Sequence, residues 1–277
     1  MYTTLIDSNT LLEQLNNPDW RIFDTRYDLM DKTKGKQDYQ RSHIPGAIYL
    51  DLHDDLSGPP VTNKGRHPLP TATAMQSLFS KYGIQADTQV VVYDSSCGAF
   101  AARLWWMLQH MQHPAVAVLD GGWQDWLLHD GPQTTEIVDT AVKPFSGEEK
   151  MDDVIDIDQV GHYQKVFDSR EPPRYRGEYE PIDKAAGHIP GARNRFWKEN
   201  LAESGQFKDR QVLREEFEVL FEATPAAEVV FYCGSGVTAC HNLLAVRHAG
   251  LSTPKLYAGS WSEWSRSPGR PVATGSE

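Results

Sequence analysis

Cysteine is scarce in this sequence, and so are long apolar runs. Three cysteines among 277 residues are too few for a disulfide framework, and the odd number leaves at least one thiol unpaired. Free thiols are typical of a reducing compartment. No stretch approaches the roughly 20 apolar residues that a membrane helix needs, and residues 1–7 lack the basic and apolar segments of a signal peptide. We therefore expect a soluble, cytoplasmic protein with no membrane partner.

Positive charge is also in short supply. The 27 lysine and arginine residues face 38 aspartate and glutamate residues, which gives a formal net charge of −11. Because no basic block stands out, a nucleic-acid-binding surface is not expected. An anionic substrate would need a local positive site that overcomes the field of the whole chain.

An internal repeat indicates how the chain is organised. Four short motifs occur twice in the same order, namely Phe-Asp-Thr/Ser-Arg, His-Ile-Pro-Gly-Ala, a valine-rich segment ending in Tyr, and a pair of Trp residues three apart. Asp168 follows Asp24 by 144 residues, and Trp264 follows Trp126 by 138. The period is too long for a solenoid and indicates two copies of one domain. We predict domains at 1–139 and 157–277, joined by a polar linker at 140–156.

Short apolar segments alternate with helical patterns, most clearly in the second copy. The sequence predicts strands at 165–168, 228–232 and 255–257, helices at 213–221 and 237–249, and a last short helix that holds Trp261 and Trp264. Gly250 stands where a helix C-cap is expected. This alternation is typical of parallel sheets with helices on both faces. The predicted fold class is therefore α/β, as a tandem duplication.

The duplication separates residues that the fold needs from residues that only one copy has. His-Ile-Pro-Gly-Ala and the Trp pairs occur in both copies, so they are predicted to be structural. The segment after the central strand differs, because copy one begins it with Asp94 and copy two with Cys233. Parallel α/β sheets bind ligands beyond the carboxyl ends of their strands. Cys233 is therefore the predicted nucleophile, and copy one is predicted to be inactive.

The residues after Cys233 have the composition of an anion site. Gly234 and Gly236 permit backbone angles that turn consecutive N–H groups inward. The helix that follows adds the positive end of its dipole, and the hydroxyl groups of Ser235 and Thr238 can donate hydrogen bonds. All of these features stabilise a thiolate.

Other reactive groups fit less well. Cys240 falls inside the predicted helix and Cys97 lies three positions past the head of its loop, so both are predicted to be passive. A cysteine phosphatase would need an arginine six residues after the cysteine, and Ala239 stands there. His241 and His248 share a helix but have no cluster of ligands around them, so no metal site is expected.

Together these motifs resemble the two-domain rhodanese superfamily over nearly the whole chain. The resemblance covers both Phe-Asp-Thr/Ser-Arg segments, both His-Ile-Pro-Gly-Ala motifs, the loop of Cys233 and the segment 257–261. It implies a sulfurtransferase in which a small anionic donor leaves a persulfide on Cys233. A thiophilic acceptor, such as cyanide, a thiol or thioredoxin, then removes the outer sulfur. No cofactor is implied.

The loop is similar to that of one subgroup of the superfamily. Cys-Gly-Ser-Gly-Val-Thr resembles 3-mercaptopyruvate sulfurtransferases, whereas thiosulfate sulfurtransferases usually carry Cys-Arg-Lys-Gly-Val-Thr. The resemblance implies that the loop residues contact the donor, and these residues are Gly234, Ser235, Gly236, Val237 and Thr238. It also implies that Arg174 binds the anionic group of the donor.

Two features remain open in this comparison. Mercaptopyruvate enzymes usually have a second arginine nine residues after the first, but this chain has Asp183, which would repel a carboxylate. The cations that could compensate are Lys184, Arg193 and Arg195. The subgroup also implies a histidine paired with Ser235, which the motif assigns to His43, with either Asp31 or Asp38 as its acid. The alternatives are a thiosulfate:cyanide sulfurtransferase and a persulfide-relay module without turnover.

Overall fold

The computed structural model describes residues 1–62 and 64–276; Asn63 and Glu277, the last residue of the predicted second domain, lie outside the described residues. By their contacts the residues form two compact units. Unit 1 comprises Met1–Gly58, Pro70–Lys150 and Ser204–Gln206, and unit 2 comprises Pro59–Leu69, Met151–Glu203 and Phe207–Glu277. The main division therefore falls inside the predicted linker, 140–156.

Unit 1 contains a five-stranded parallel sheet within its described residues. Its strands are β1 (Leu5–Ile6), β2 (Trp20–Asp24), β3 (Ala47–Tyr49), β4 (Gln89–Tyr93) and β5 (Val116–Leu119), in the order β1-β5-β4-β2-β3. Its helices are α1 (Ser8–Gln14), α2 (Lys34–Arg41), α3 (Ala72–Lys81), α4 (Ala101–His110) and α5 (Gly122–Leu128). Every residue of β4 is buried, as expected for a central parallel strand with helices on both faces.

Unit 2 repeats this arrangement in the part of the chain that the structure covers. Its parallel strands are β6 (Val154–Ile155), β7 (Lys165–Asp168), β8 (Arg193–Asn194), β9 (Val229–Tyr232) and β10 (Lys255–Tyr257), in the order β6-β10-β9-β7-β8. Its helices are α6 (Pro172–Tyr175), α7 (Arg210–Phe221), α8 (Ala239–His248) and α9 (Ser260–Trp264). Short 3-10 helices occur at Met151–Asp153, Val160–His162, Trp197–Asn200 and Ala226–Glu228.

The predicted fold class and duplication are confirmed, and most element bounds agree closely. The strands at 165–168 and 255–257 have the predicted bounds, and Gly250 follows the end of α8 with a φ of +81°. The short strand β6 lies within the segment predicted as linker and pairs with β10. Two residues are a short strand, and the polar residues around them hid the apolar pattern.

The first repeated motif is structural in both copies. The carboxylate of Asp24 forms a buried ion pair with Arg26, and the guanidinium carbon of Arg26 lies 4.6 Å from the centre of the Trp123 ring. Asp168 and Arg170 form the matching pair in unit 2, where Trp261 takes the place of Trp123. The predicted core role of the Trp residues is confirmed, since both rings belong to the hydrophobic cores.

The second repeated motif is also built into the fold. His43 is fully buried, stacks on Tyr39 with ring centres 4.0 Å apart, and has Nδ1 2.7 Å from the Tyr39 carbonyl oxygen. His188 does the same with Tyr175, at 3.9 Å and 2.8 Å. The same stacked pair of histidine and tyrosine occurs in both units. We therefore interpret the His-Ile-Pro-Gly-Ala motif as structural, in line with the prediction from the duplication.

Two short segments group by their contacts with the opposite unit from the residues that flank them in the sequence. Pro59–Leu69 lies between β3 and α3 in sequence but is part of unit 2. Ser204–Gln206 lies between β8 and α7 but is part of unit 1. The described helices include none that is long and apolar enough to cross a membrane.

Candidate functional site

Cys233 directly follows β9, at the carboxyl end of a central strand of unit 2. Cys233 is only 2% exposed to solvent. The backbone N–H of Cys233 donates to the hydroxyl oxygen of Ser260 at 3.1 Å, and the N–H of Trp261 donates back to the carbonyl of Cys233 at 3.0 Å. The cysteine is therefore held against the beginning of α9, which explains why the family-like segment 257–261 accompanies the loop.

The loop contains two glycines, and glycine suits each position for a different structural reason. Gly236 has a φ of +75°, and a Cβ atom there would lie 2.4 Å from the carbonyl oxygen of Ala258. Only glycine fits this position without strain. A Cβ atom at Gly234 would lie 3.3 Å from Nη2 of Arg66 and 3.8 Å from Nη2 of Arg174. The absence of a side chain at Gly234 thus leaves room for two guanidinium groups above the loop.

The equivalent loop of unit 1 contains a carboxylate where unit 2 has the thiol. Asp94 accepts four backbone N–H bonds of 2.7 to 2.9 Å, from Ser96, Gly98, Phe100 and Ala101. Copy one therefore encloses its own anion and has no thiol at the head of the loop. A loop of this type gathers amides around negative charge, which is the property expected of the copy that carries Cys233.

Ser235 has a different histidine partner from the one that the sequence predicted. Nδ1 of His67 lies 2.8 Å from the hydroxyl oxygen of Ser235, and both residues are at most 5% exposed. The ring nitrogens of His43 instead face the carbonyl oxygens of Tyr39 and Glu136, at 2.7 and 2.9 Å. The geometry thus favours His67 over His43 as the partner of Ser235, because both ring nitrogens of His43 face backbone carbonyl groups.

The candidate acids for His43 are engaged locally as well. Asp31 accepts hydrogen bonds from the backbone and hydroxyl of Thr33. Asp38 pairs with Lys34 and Arg41 along the surface of α2. Neither carboxylate bonds to the His43 ring, so the predicted triad does not form.

His67 could have been found in the sequence by the duplication argument itself. The segment Arg66-His67-Pro68-Leu69-Pro70 occurs in copy one and has no counterpart in copy two. Features of a single copy were the better candidates for chemistry. His67 was overlooked because its segment lies in copy one, where Asp94 occupies the position of Cys233.

The segment that carries Arg66 and His67 is fixed on α9 and on Gly259, the residue before it. The N–H of Arg66 donates to the hydroxyl of Ser262 at 2.9 Å. A Cβ atom at Gly65 would lie 2.6 Å from the carbonyl oxygen of Gly259, so the two backbones approach as only glycine allows. These contacts bring a guanidinium and an imidazole to the loop of Cys233.

Arg174 lies at the predicted position beside the loop and is held by two carboxylates. Its Nε and Nη2 donate to Glu180 at 3.1 and 2.7 Å, and Nη2 also lies 3.3 Å from Asp183. Burial acts to raise the pKa of Glu180, but hydrogen bonds from Arg174 and from two backbone N–H groups outweigh it, and the pKa lies below its ordinary value.

The negative charge of Asp183 is neutralised by neighbouring arginine side chains. Its carboxylate is fully buried and pairs with both Arg66 and Arg174. Burial raises the pKa of Asp183, and the charge of Arg66 acts against that rise. The compensating cation is therefore Arg66. Of the candidates from the sequence, Arg193 pairs with Glu222 and Arg195 with Glu216, while Lys184 is exposed.

The remaining cysteines have passive surroundings. None of the three cysteines forms a disulfide bond. Cys240 is buried within α8, with its sulfur 3.4 Å from the carbonyl oxygen of Gly236. Cys97 is half-buried in the loop that Asp94 organises. Among residues 1–62 and 64–276, no group of three or more His, Cys, Asp or Glu side chains could hold a metal ion.

Several known proteins are similar to this chain over most of its length. The rhodanese-like domain family matches the chain twice, at residues 7–129 and 150–267. A probable 3-mercaptopyruvate sulfurtransferase of Pseudomonas aeruginosa is 42% identical over 98% of each chain. The thiosulfate sulfurtransferase of Cricetulus griseus is 32% identical over 95% of this chain and 92% of its own. The 3-mercaptopyruvate sulfurtransferase from Leishmania major has a similar structure, with a TM-score of 0.85 and 30% identity over 95% of this chain and 74% of its own.

Proposed function

The chain belongs to the rhodanese family as a tandem-domain sulfurtransferase, and we propose that its preferred sulfur donor is 3-mercaptopyruvate. The observation that carries this choice is the convergence of a neutral loop, a Ser235–His67 pair and two guanidinium groups on Cys233. A 2-oxo-3-thiol acid has a thiol, a carbonyl and a carboxylate, and each of these groups meets a suitable partner there.

The proposed first half-reaction forms a persulfide. The thiolate of Cys233 attacks the thiol sulfur of the donor, and a new S–S bond forms as the C–S bond breaks. The electron pair of that bond leaves with the three-carbon fragment as the enolate of pyruvate, which then takes up a proton. Cys233 then holds the transferred sulfur as a persulfide. The electrons balance between enzyme and donor, so the step needs no external oxidant or reductant.

The second half-reaction returns the enzyme to its first state. A thiophilic acceptor, which is cyanide in an assay and a thiol or a thioredoxin-like protein in a cell, attacks the outer sulfur. The S–S bond breaks and its electron pair returns to the thiolate of Cys233. The loop N–H groups that follow Cys233 stabilise the negative charge in both states, by the same principle as an oxyanion hole. These steps need no metal or cofactor.

The residues around the loop have separate tasks in this proposal. Arg174 and Arg66 bind the carboxylate of the donor, since planar guanidinium groups match carboxylate oxygens. The hydroxyl of Ser235, oriented by His67, polarises the donor carbonyl and so stabilises the enolate that leaves. The remaining proposed site residues shape the loop and contribute backbone or hydroxyl donors to it; they are Gly234, Gly236, Val237 and Thr238.

Two further arrangements remain as outcomes of the test. Thiosulfate could use the same two guanidinium groups, although it lacks a carbonyl for Ser235 and the loop lacks the two cations usual for that donor. A persulfide relay would accept sulfur from a protein and would turn over neither small donor. The three free thiols fit the expected cytoplasmic location.

The deciding experiment assays both donors side by side, with cyanide as acceptor and thiocyanate as the measured product. We expect kcat/KM for 3-mercaptopyruvate to exceed that for thiosulfate by at least about tenfold, because only that donor uses the Ser235–His67 pair. Cys233→Ser should abolish transfer from both donors, and Cys97→Ser should retain it. A preference for thiosulfate would reverse the donor assignment, and no turnover of either donor would favour the relay.

A further inference from the structure

Asp183 occupies the position where a second donor-binding arginine was expected, and its charge alone would oppose an anionic donor. We propose that Asp183 is instead a positioning residue, whose carboxylate holds Arg66 and Arg174 together so that both can bind the anionic group of the donor. The inference rests on the proposed function and extends it, because it assigns a role to the one residue that argued against it.

The first support is the geometry of the carboxylate. One oxygen of Asp183 pairs with Nη1 of Arg66, and the other lies 3.3 Å from Nη2 of Arg174. A single side chain therefore bridges the two guanidinium groups whose Nη2 atoms approach Gly234. Since each long arginine side chain loses considerable rotamer freedom when it binds an anion, a fixed partner reduces that cost before the donor arrives.

The second support is the difference in exposure within the cluster. The side chain of Asp183 has no exposed surface, whereas those of Arg66 and Arg174 are 24% and 12% exposed. An anion that approaches from solvent therefore meets the guanidinium groups and not the carboxylate. One oxygen of Asp183 lies as close to Gly234 as Nη2 of Arg174 does, each 3.8 Å from an added Cβ atom, so the guanidinium groups reach solvent first because of their exposure and not because the carboxylate is more distant.

The third support is that Arg66 depends on Asp183 more than Arg174 does. Arg174 has a second carboxylate partner in Glu180. In the described part of the chain, Asp183 is the only acidic partner of Arg66, and the buried Nε of Arg66 has no hydrogen-bond partner. A buried N–H group without an acceptor costs free energy, and an anion bound beside Arg66 would supply that acceptor.

The charge balance of the cluster allows a positioning role of Asp183 to be distinguished from a purely electrostatic effect. Three cations and three carboxylates form one connected cluster, consisting of Arg66, Arg170, Arg174, Asp168, Glu180 and Asp183. Removal of the charge of Asp183 leaves the cluster one unit more positive. Electrostatics alone therefore predicts tighter donor binding, whereas the positioning role predicts weaker binding. The two accounts give opposite signs for the same substitution.

The test compares Asp183→Asn with Glu178→Gln, in the presence of 3-mercaptopyruvate and of thiosulfate. Glu178 is a matched control because its substitution removes the same charge from the same loop, and among the described residues its one ion pair is with Arg176 at the surface. We expect Asp183→Asn to raise KM for the donor about tenfold, as when a charge-assisted hydrogen bond loses its alignment. The value of kcat should stay within about twofold, since Asp183 does not touch the groups that react.

A double-mutant cycle separates positioning from a general loss of structure. If Asp183 acts through Arg66, Asp183→Asn should raise KM much less in an Arg66→Ala background than in the wild-type chain. Equal effects in both backgrounds would overturn the inference, as would a KM for Asp183→Asn at or below that of wild type. Thermal unfolding of each variant shows whether the substitution has merely weakened the fold.

A binding assay keeps this inference distinct from the donor assignment. Sulfate should slow the alkylation of Cys233 by iodoacetamide, and Asp183→Asn should require about tenfold more sulfate for the same protection. This readout needs no turnover, so it holds even if the chain accepts neither small donor. Undiminished protection in Asp183→Asn, or no protection of the wild-type thiol, would overturn the inference.

Discussion

Nδ1 of His67 lies 2.8 Å from the hydroxyl oxygen of Ser235, although 168 positions separate the two residues in the chain. The contact exists because Pro59–Leu69 folds as part of unit 2 and Ser262 accepts the N–H of Arg66 beside it. Both partners are buried, so the hydrogen bond acts in a medium of low dielectric constant. A buried histidine–serine contact in the loop of the proposed nucleophile Cys233 is the basis of the first prediction.

Replacement of His67 by glutamine should slow transfer from 3-mercaptopyruvate far more than transfer from thiosulfate. Only 3-mercaptopyruvate has a carbonyl group for Ser235 to polarise. We expect kcat for that donor to fall by about 100-fold, the size typical of a lost acid–base partner, and kcat for thiosulfate to change little. Steady-state rates with both donors measure the difference, and equal losses would remove the assigned role.

Replacement of His43 by alanine should affect stability and not chemistry. The variant loses the contacts of both ring nitrogens with backbone carbonyl oxygens and the stacking on Tyr39. We expect the free energy of unfolding to fall by about 2 kcal/mol, with kcat of the folded fraction unchanged. Urea unfolding and transfer rates provide the two readouts, and a selective loss of kcat would restore His43 as a catalytic residue.

Replacement of Arg174 by alanine should mainly weaken the use of the donor. The guanidinium of Arg174 approaches the loop at Gly234, whereas that of Arg176 pairs with Glu178 at the surface. We expect kcat/KM for the donor to fall by about 100-fold, the range found when one partner of a charge-assisted pair is removed. Arg176→Ala is the matched control and should keep the wild-type value. An unchanged kcat/KM in the Arg174 variant would mean that this arginine does not bind the donor.

Replacement of Asp94 by alanine should destabilise unit 1 without affecting transfer. The substitution leaves three buried backbone N–H groups and one half-buried one, that of Ser96, without their acceptor. We expect the free energy of unfolding to fall by about 3–5 kcal/mol, since each unsatisfied buried donor is costly. Chemical denaturation measures the loss. A stable variant would mean that water or another group replaces the carboxylate in the loop.

Replacement of Glu180 by glutamine should have an effect that depends on pH. Burial acts to raise the pKa of Glu180, but its hydrogen bonds, first that from Arg174, hold the pKa below the ordinary value of 4.5. A lowered carboxyl pKa in the folded state contributes stability above the ordinary pKa, and this contribution is lost as the pH falls through the folded-state pKa.

At pH 7 we therefore expect Glu180→Gln to be less stable than wild type by about 3 kcal/mol, as for a broken buried ion pair. The difference should shrink as the pH falls below 4.5 and through the lower folded-state pKa. Unfolding curves of both proteins across this range give the comparison. A difference that stays constant with pH would show that the ion pair does not carry the effect.

Local patterns in the sequence were enough for the fold. The fully buried β4 and β9 were readable because a central parallel strand is a continuous apolar run. The Trp123 and Trp261 positions were assigned to the core because each recurs in the other copy. The short strand β6 was missed, since two residues set among polar neighbours give no periodic signal.

The site was only partly accessible to the same reasoning. Gly236 was recognised as a residue that permits a special backbone angle, and its φ is +75°. His43 was assigned to Ser235 from a motif that both copies share, whereas the histidine that the structure describes beside Ser235 is His67. Arg66 was missed as the partner of Asp183, since the segment around it has neither helical nor strand periodicity and is matched by nothing in copy two.

By itself the sequence determined the duplicated α/β architecture and the cysteine-headed loop, because burial, backbone freedom and strand ends leave marks within a few neighbouring residues. The tertiary structure decided which side chains surround that loop. Arg66, His67 and Asp183 meet at Gly234 and Ser235 only because an irregular segment folds with the second unit, where hydrogen bonds and close glycine contacts hold it. Such long-range contacts depend on the path of the whole chain, and no local pattern records that path.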